Sequence, residues 1–428
     1  MRIAFVNPPF YNNGRHGNRA GSRWPMTGTT PDYFYCPYPH FMGYATSYIM
    51  SKGHDVLFYD AIGWRHSYEK FYEELWKFKP DIIFQEIATS SFDIDMKVAE
   101  HLSAIGEVCL TGSHATTFSK ELSELPYISY VIKGAYEKAA EKVINTRHKG
   151  IYDYEPIVNP DDLLYPYRAD YMCNDKRTGF KERTNAYTMY FDPCCQSGIG
   201  EPMLFINASR GCPFKCEFCL WPHVMYEKQY RLRKVDSVIA EIEYCVSTWD
   251  YKYVYFDDDT WNIGGEGRME YFCKELKKLN INWQANFRLD TCSKEMFKLM
   301  RECNCVGYRV GVESLSQKYL DRINKKEKVE DIVDKLNFIK SLGVDLYLLF
   351  MHGYPGETEE DRDTTRKFIT EFGHRSQNPA CIPFPGTPYY KKLEEKGLAC
   401  TNWVEYDGCN LGSTLLTNIA QYLRESHE

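Results

Sequence analysis

Strand-like and helix-like stretches alternate along this chain in two successive series. That alternation restricts the fold to the α/β class, with parallel sheets covered by helices. The first series has strand candidates at residues 3–7, 55–59, 81–85, 107–111 and 130–132, with helical stretches at 42–50, 68–77 and 94–105 between them. The expected product is a doubly wound parallel sheet. The second series runs from Leu204 towards Cys381, with strand candidates at 204–208, 253–256, 283–287, 308–312, 345–351 and 380–383. In its helices Val235, Val238, Ile239, Ile242 and Val246 share one face, as do Val329, Ile332, Val333, Leu336 and Ile339. Six such units read as an incomplete barrel, a partial (β/α)6, whose chemistry belongs at the C-terminal ends of its strands.

The pattern divides the chain into a sheet domain over residues 1–145, a connector over 146–202, the partial barrel over 203–390 and a C-terminal segment over 391–428. The connector is irregular and aromatic-rich, and its Cys194-Cys195 pair is its one odd feature. Residues 10–39 form a long Gly-, Pro- and Asn-rich loop after the first strand. A loop of that length inside a compact domain is usually functional, and ligands of such sheets bind at the carboxyl ends of the strands.

Composition removes several classes. A formal charge of −7 offers no basic footprint for a nucleic-acid backbone. A mean hydropathy of −0.50 and the lack of a long uncharged apolar run argue against a membrane span. The N-terminal apolar stretch is too short for a signal peptide and reads as a buried strand ending at prolines, so the expected location is cytoplasmic. Sixteen cysteines in a chain of 428 residues point to metal or catalysis where they cluster and to small buried hydrophobes where they scatter.

One cluster stands out. Gly211-Cys212-Pro213-Phe214-Lys215-Cys216-Glu217-Phe218-Cys219 places three thiols on one short loop, just after the first barrel strand. Iron–sulfur clusters typically take four Cys ligands. A set of three leaves one iron open to a small molecule, as a catalytic zinc keeps an open position. Structural zinc sites favour paired knuckles with four ligands, and here Cys216-x-x-Cys219 has no second knuckle nearby. Cys303 and Cys305, and the other scattered cysteines, read as buried structural residues, so a single cluster is expected.

This loop resembles the radical S-adenosylmethionine (SAM) superfamily, whose signature is Cys-x3-Cys-x-aromatic-Cys, with Phe218 in the aromatic position. The resemblance implies a 4Fe–4S cluster on Cys212, Cys216 and Cys219, with SAM chelated to the open iron. It further implies SAM cleavage to methionine and a 5′-deoxyadenosyl radical after one-electron reduction. Successive strand ends continue the resemblance. Asp257-Asp258-Asp259 follows the second strand, with Asp258 and Asp259 implied as contacts to SAM or substrate. Arg288 ends the third and is implied as a partner of the methionine carboxylate. Glu313 and Ser314 end the fourth, near the ribose. Gly353-Tyr354-Pro355-Gly356-Glu357-Thr358 follows the fifth and places Gly356 beside the adenine.

The N-terminal half looks like the cobalamin-binding class of the same superfamily. The matching stretches are Val6-Asn7-Pro8-Pro9, Pro39 to Ala45, Gly53-His54-Asp55-Val56, Gly112-Ser113-His114 and Gly134-Ala135-Tyr136-Glu137. This likeness implies a cobalamin-binding-like sheet, with Pro8, Ser90, Gly112, His114 and Glu137 as candidate contacts at its carboxyl edge. The Asp-x-His-x-x-Gly motif of some cobalamin enzymes is absent, which implies cobalamin without a histidine ligand or none bound.

The function implied is a radical SAM enzyme that methylates an unactivated carbon with cobalamin as the methyl carrier. Radical cyclisation, dehydration, epimerisation or rearrangement without methyl transfer stays open. So, from another class, does a non-catalytic metal-binding or electron-carrier protein, which iron analysis separates from the enzyme. The substrate is a small molecule, lipid or peptide, and the chemistry calls for an electron donor such as a flavodoxin-like protein.

Overall fold

The computed structural model describes residues 1–12, 14–28, 35–168, 190, 203–249, 251, 253–408 and 411–425. The Cys194-Cys195 pair lies outside these residues. Among them, two six-stranded sheets carry the architecture.

The first sheet contains β1 (Arg2–Asn7), β2 (Asp55–Asp60), β3 (Ile82–Glu86), β4 (Glu107–Thr111), β5 (Tyr130–Ile132) and β6 (Gly150–Tyr152) in the order β2-β1-β3-β4-β5-β6. Every pairing is parallel. The chain therefore reverses its winding between β1 and β3, and a crevice opens there at the strands' carboxyl ends. Alternate residues serve two cores, because successive side chains in a strand face opposite ways. Ala4, Val6, Ile83, Val108 and Leu110 pack together on one face. Ile3, Phe5, Ile82, Phe84 and Cys109 on the other join the hydrophobic core that continues into the barrel. β6 adds an edge strand inside the span that reads as connector, where a Gly-Ile-Tyr run is too short to register as a periodic pattern.

The second sheet contains β7 (Met203–Ile206), β8 (Tyr253–Phe256), β9 (Asn282–Phe287), β10 (Cys305–Glu313), β11 (Asp345–Phe350) and β12 (Arg375–Gln377), in sequence order. All of its pairings are parallel, the pattern of an open barrel. The sixth strand corrects the sequence-based expectation: it is β12, not residues 380–383. Ala380 makes only an isolated bridge to His352. Pro379 and Pro383 flank that apolar run, and proline cannot donate to a ladder. Arg375-Ser376-Gln377 is polar and lies on the sheet edge, so no hydrophobic pattern announces it.

The expected loop over residues 10–39 contains short paired strands among its described residues. Tyr11–Asn12 pairs antiparallel with Arg15–Asn18, which pairs with Met26–Thr27. The Thr27 main-chain N–H and hydroxyl both donate to Asp407, each at 2.7 Å. The excursion is thereby tied to the C-terminal segment. The two halves of the chain also meet through Arg210, which pairs with Glu137 and lies 4.7 Å from the centre of the Tyr44 ring. No helix among the described residues is long and apolar enough to cross a membrane.

Candidate active site at the mouth of the second sheet

The cysteine loop leaves the short strand Ser209–Arg210 through Gly211, whose φ of +78° favours glycine. A Cβ there would meet the Gln229 carbonyl oxygen at 2.2 Å. The loop is then pinned along its length. Glu217 N–H donates to the Ile323 carbonyl at 3.0 Å, and Cys219 N–H to the Cys216 carbonyl at 3.2 Å. The Asn324 side chain donates to the Lys215 carbonyl at 3.0 Å. Glu217 also accepts hydrogen bonds from Tyr354 and Lys392, joining the loop to the Gly-Tyr-Pro-Gly turn and to the helix Pro388–Glu395.

All three cysteines line one cavity of about 520 Å³ at the carboxyl ends of the barrel strands. Burial pushes the Cys212 thiol up to about 11 and raises Cys216 and Cys219 as well. At Cys216 the positive charges of Lys325 and Arg288 work against that rise. A buried thiol is a poor anion until a metal supplies the opposing charge. Among the described residues no His, Cys, Asp and Glu group gathers tightly enough for a single metal ion. A 4Fe–4S cluster distributes its thiolates over separate irons, and three thiols lining one cavity are compatible with such a group.

The cavity brings together Cys212, Cys216, Cys219, Phe218, Asp259, Arg288 and Glu313. Arg288 is held from several sides. Its main chain exchanges hydrogen bonds with the Asn262 side chain at 2.7 and 3.0 Å. Its guanidinium reaches Asp290 at 2.9 and 2.8 Å, the Lys325 carbonyl at 2.7 Å and Cys216 Sγ at 3.9 Å. It also stacks 3.7 Å over the Phe214 ring. Glu313, at φ +68°, pairs with Lys325 at 3.0 Å. Lys325 in turn lies 3.2 Å from Glu327.

Other expected residues lie elsewhere. Asp258 turns away from the cavity that Asp257 and Asp259 line. It accepts from Ala208 N–H at 3.0 Å and from the Ser209 hydroxyl, and burial pushes its carboxyl up to about 6. Ser314 bonds Thr365 and Ser316 at 3.2 and 3.1 Å, stabilising a turn. Gly356, at φ +80°, packs against the Arg322 guanidinium.

The N-terminal candidates surround the carboxyl edge of the first sheet. There Arg19 donates to the Pro8 carbonyl at 2.5 Å and pairs with Asp95 at 2.7 Å, both groups buried. The Ser90 hydroxyl is buried with no hydrogen-bond partner among the described residues. Gly112, at φ +97°, allows the main chain to pass close to Ile87. His114 is enclosed by Phe92, Phe118 and Trp403, with ring centroids 4.4, 4.6 and 5.1 Å away. Its Nδ1 lies 3.2 Å from the Thr89 hydroxyl, and burial lowers its pKa to about 3. Glu137 is committed to Arg210.

Sequence reasoning missed Arg23, Trp24, Tyr35 and Lys325, all of which line the cavity. None sits in a motif. They arrive through the residue 10–39 excursion and the loop before Val329–Ser341, so only the tertiary fold locates them.

Residues 206–369 match the family described as the radical SAM superfamily. An uncharacterized methyltransferase of Pyrococcus horikoshii is 26% identical over 85% of this chain and 80% of its own length. The anaerobic magnesium-protoporphyrin IX monomethyl ester cyclase of Cereibacter sphaeroides is 26% identical over 92% of this chain, which spans 64% of the cyclase. Among solved structures, the radical SAM methyltransferase TsrM from Kitasatospora setae, with cobalamin and a 4Fe–4S cluster bound, superposes with a TM-score of 0.68. It covers 95% of this chain and 81% of TsrM at 14% identity, a likeness of fold.

Proposed function

We propose that this chain, whose residues 206–369 match the radical SAM superfamily, is an enzyme that methylates an unactivated carbon of a small-molecule substrate with the help of cobalamin. The observation that carries this reading is the shared cavity. The three cysteines, the charged strand ends of the barrel and the N-terminal loop all converge on one space of about 520 Å³.

Cys212, Cys216 and Cys219 would hold the cluster. Arg288 and Lys325, both buried beside Cys216, offer positive charge to a carboxylate such as that of the SAM methionine. Glu313 stands beside them as an acceptor for hydroxyl groups. Bound together, cluster and SAM supply a carbon radical capable of taking hydrogen from an unactivated position. The protein's contribution is to hold the reactants and exclude water. Trp24, Tyr35, Phe218, Trp221 and Phe384 wall the cavity with aromatic surface.

Cobalamin would lie along the crevice between β1 and β3, where Pro8 and Ser90 follow the strand ends and the buried Ser90 hydroxyl offers an unused donor. It would supply a transferable methyl group there. His114 would not serve as a ligand to it, since its ring is closed in by three aromatic side chains. TsrM contains cobalamin in the same overall fold, which supports the reading.

The extended match to the cyclase favours a second reading, radical ring closure without methyl transfer. One experiment separates them. The chain is reconstituted anaerobically with iron and sulfide, titrated with hydroxocobalamin, desalted and supplied with SAM, reductant and candidate acceptors. Stoichiometric cobalamin retention, with S-adenosylhomocysteine and deoxyadenosine formed beside a methylated product, is the expected result. Deoxyadenosine with no cobalamin retained and no methyl transferred would reject methylation and leave the second reading.

A further inference from the structure

Arg23 belongs to the N-terminal excursion, yet its guanidinium sits in the barrel mouth. Nη1 donates to Asp257 at 2.6 Å and Nε to Asp259 at 2.5 Å, while Nη2 reaches the Asp257 main-chain oxygen. The group lies 4.6 Å from the centre of the ring of Trp221, which follows closely on Cys219. Asp257 also faces His40 Nε2 at 3.5 Å, at the start of the helix His40–Ser51. Burial lowers the His40 pKa, so at neutral pH that ring adds no full charge. Among the described residues, Arg23 is therefore the full positive charge that pairs with both carboxylates. On its other side, Thr260 Oγ1 is 3.7 Å from Cys212 Sγ.

Asp257 and Asp259 line the cavity with the three cysteines. Charges a few ångströms apart in a mostly buried site interact strongly, because little water intervenes to screen them. A group that takes up an electron there feels the same charges.

We propose that Arg23 is a positioning residue through which the N-terminal domain sets the electron affinity of the barrel's cluster, by neutralising the Asp257–Asp259 pair beside the cysteine loop. This rests on the reading that the three cysteines hold a 4Fe–4S cluster. Adding one electron, taken from a low-potential reductant such as dithionite, places a further negative charge next to that pair. With Arg23 present the addition is opposed less. Net charge around the sulfurs is an established lever on cluster potential, and here the lever is supplied from the other domain.

The test is a redox titration of the anaerobically reconstituted full chain, monitored by electron paramagnetic resonance. Wild type, Arg23→Gln, Arg23→Lys, Asp259→Asn and the double variant R23Q/D259N are compared at equal iron content. The midpoint potential should move to more negative values in Arg23→Gln and stay near wild type in Arg23→Lys. In R23Q/D259N it should return towards wild type, since the lost positive charge is matched by a lost negative one. An unchanged potential in Arg23→Gln, or no return in the double variant, overturns the proposal. If Arg23→Gln fails to assemble a cluster, Asp259→Asn alone decides: a positive shift supports the proposal and no shift overturns it. Failure of the wild type to take up about four irons rejects the cluster reading instead, so the two failures are distinguishable.

Discussion

Glu86 ends β3 at the edge of the crevice, buried and accepting a hydrogen bond from the Tyr136 hydroxyl at 2.9 Å. Burial pushes its carboxyl up to about 7, against the lowering effects of Tyr136 and Arg19. Between the ordinary carboxyl range and that value the folded chain binds a proton that the unfolded chain has lost. Stability should therefore fall as pH rises through this window. A shift of this size corresponds to an upper bound on the order of 3 kcal/mol. Glu86→Gln keeps an acceptor for Tyr136 and removes the titration. Melting curves from pH 5 to pH 8 should show a steeper loss for wild type than for Glu86→Gln, and equal slopes would refute the assignment. Asp257, Asp258 and Asp259 make a related point. Three identical side chains in a row have two fates: Asp257 and Asp259 meet Arg23 and line the cavity, whereas Asp258 turns back to Ala208 and Ser209, because successive residues leaving a strand point in opposite directions.

At the scale of elements, the backbone of the cysteine loop is set by the fold itself. Gly211 reverses the chain with a positive φ where a side chain would strike Gln229. Gly211→Ala should cost at least ~1 kcal/mol through backbone strain alone. Its melting temperature and its iron uptake after reconstitution should both fall. A variant that melts and loads like wild type would show that the turn is not constrained. The fifth strand end is built with similar care. Glu357 accepts from Gly353 N–H at 2.6 Å and from Arg362 at 3.0 Å, and Thr358 with Asp361 closes a capping box on the helix Glu359–Phe372. The Gly-x-Pro-Gly-Glu-Thr pattern is thus largely a device for ending a strand and starting a helix rigidly. That is why Gly356 lies off the cavity wall.

Across the whole molecule, charge pairs between the two halves fix where the first sheet stands over the barrel. Arg210 and Glu137 are both almost fully buried. Removing one member of such a pair strands a buried charge, at a cost of about 3–5 kcal/mol, whereas replacing both with apolar residues is often tolerated. Urea denaturation should show Arg210→Met strongly destabilised and Arg210→Met/Glu137→Leu recovering most of the loss. A single variant as stable as wild type would remove the pair from any structural role. The Arg23 clamp is the second such link, and it reaches the chemistry directly.

Much of this protein was legible without coordinates. Hydrophobic periodicity located the strands of both sheets to within a few residues, because buried parallel strands must be apolar runs and their covering helices must be amphipathic. Polar β12 and short β6 escaped, since an edge strand carries no such requirement. Three cysteines on one loop stood out in the sequence, because residues close along the chain need no fold to bring them together, and they do line one cavity. Arg23, Lys325 and the enclosure of His114 were beyond reach. Their roles depend on which groups lie within a few ångströms after residues hundreds of positions apart have packed, and a sequence pattern records local spacing, not that proximity.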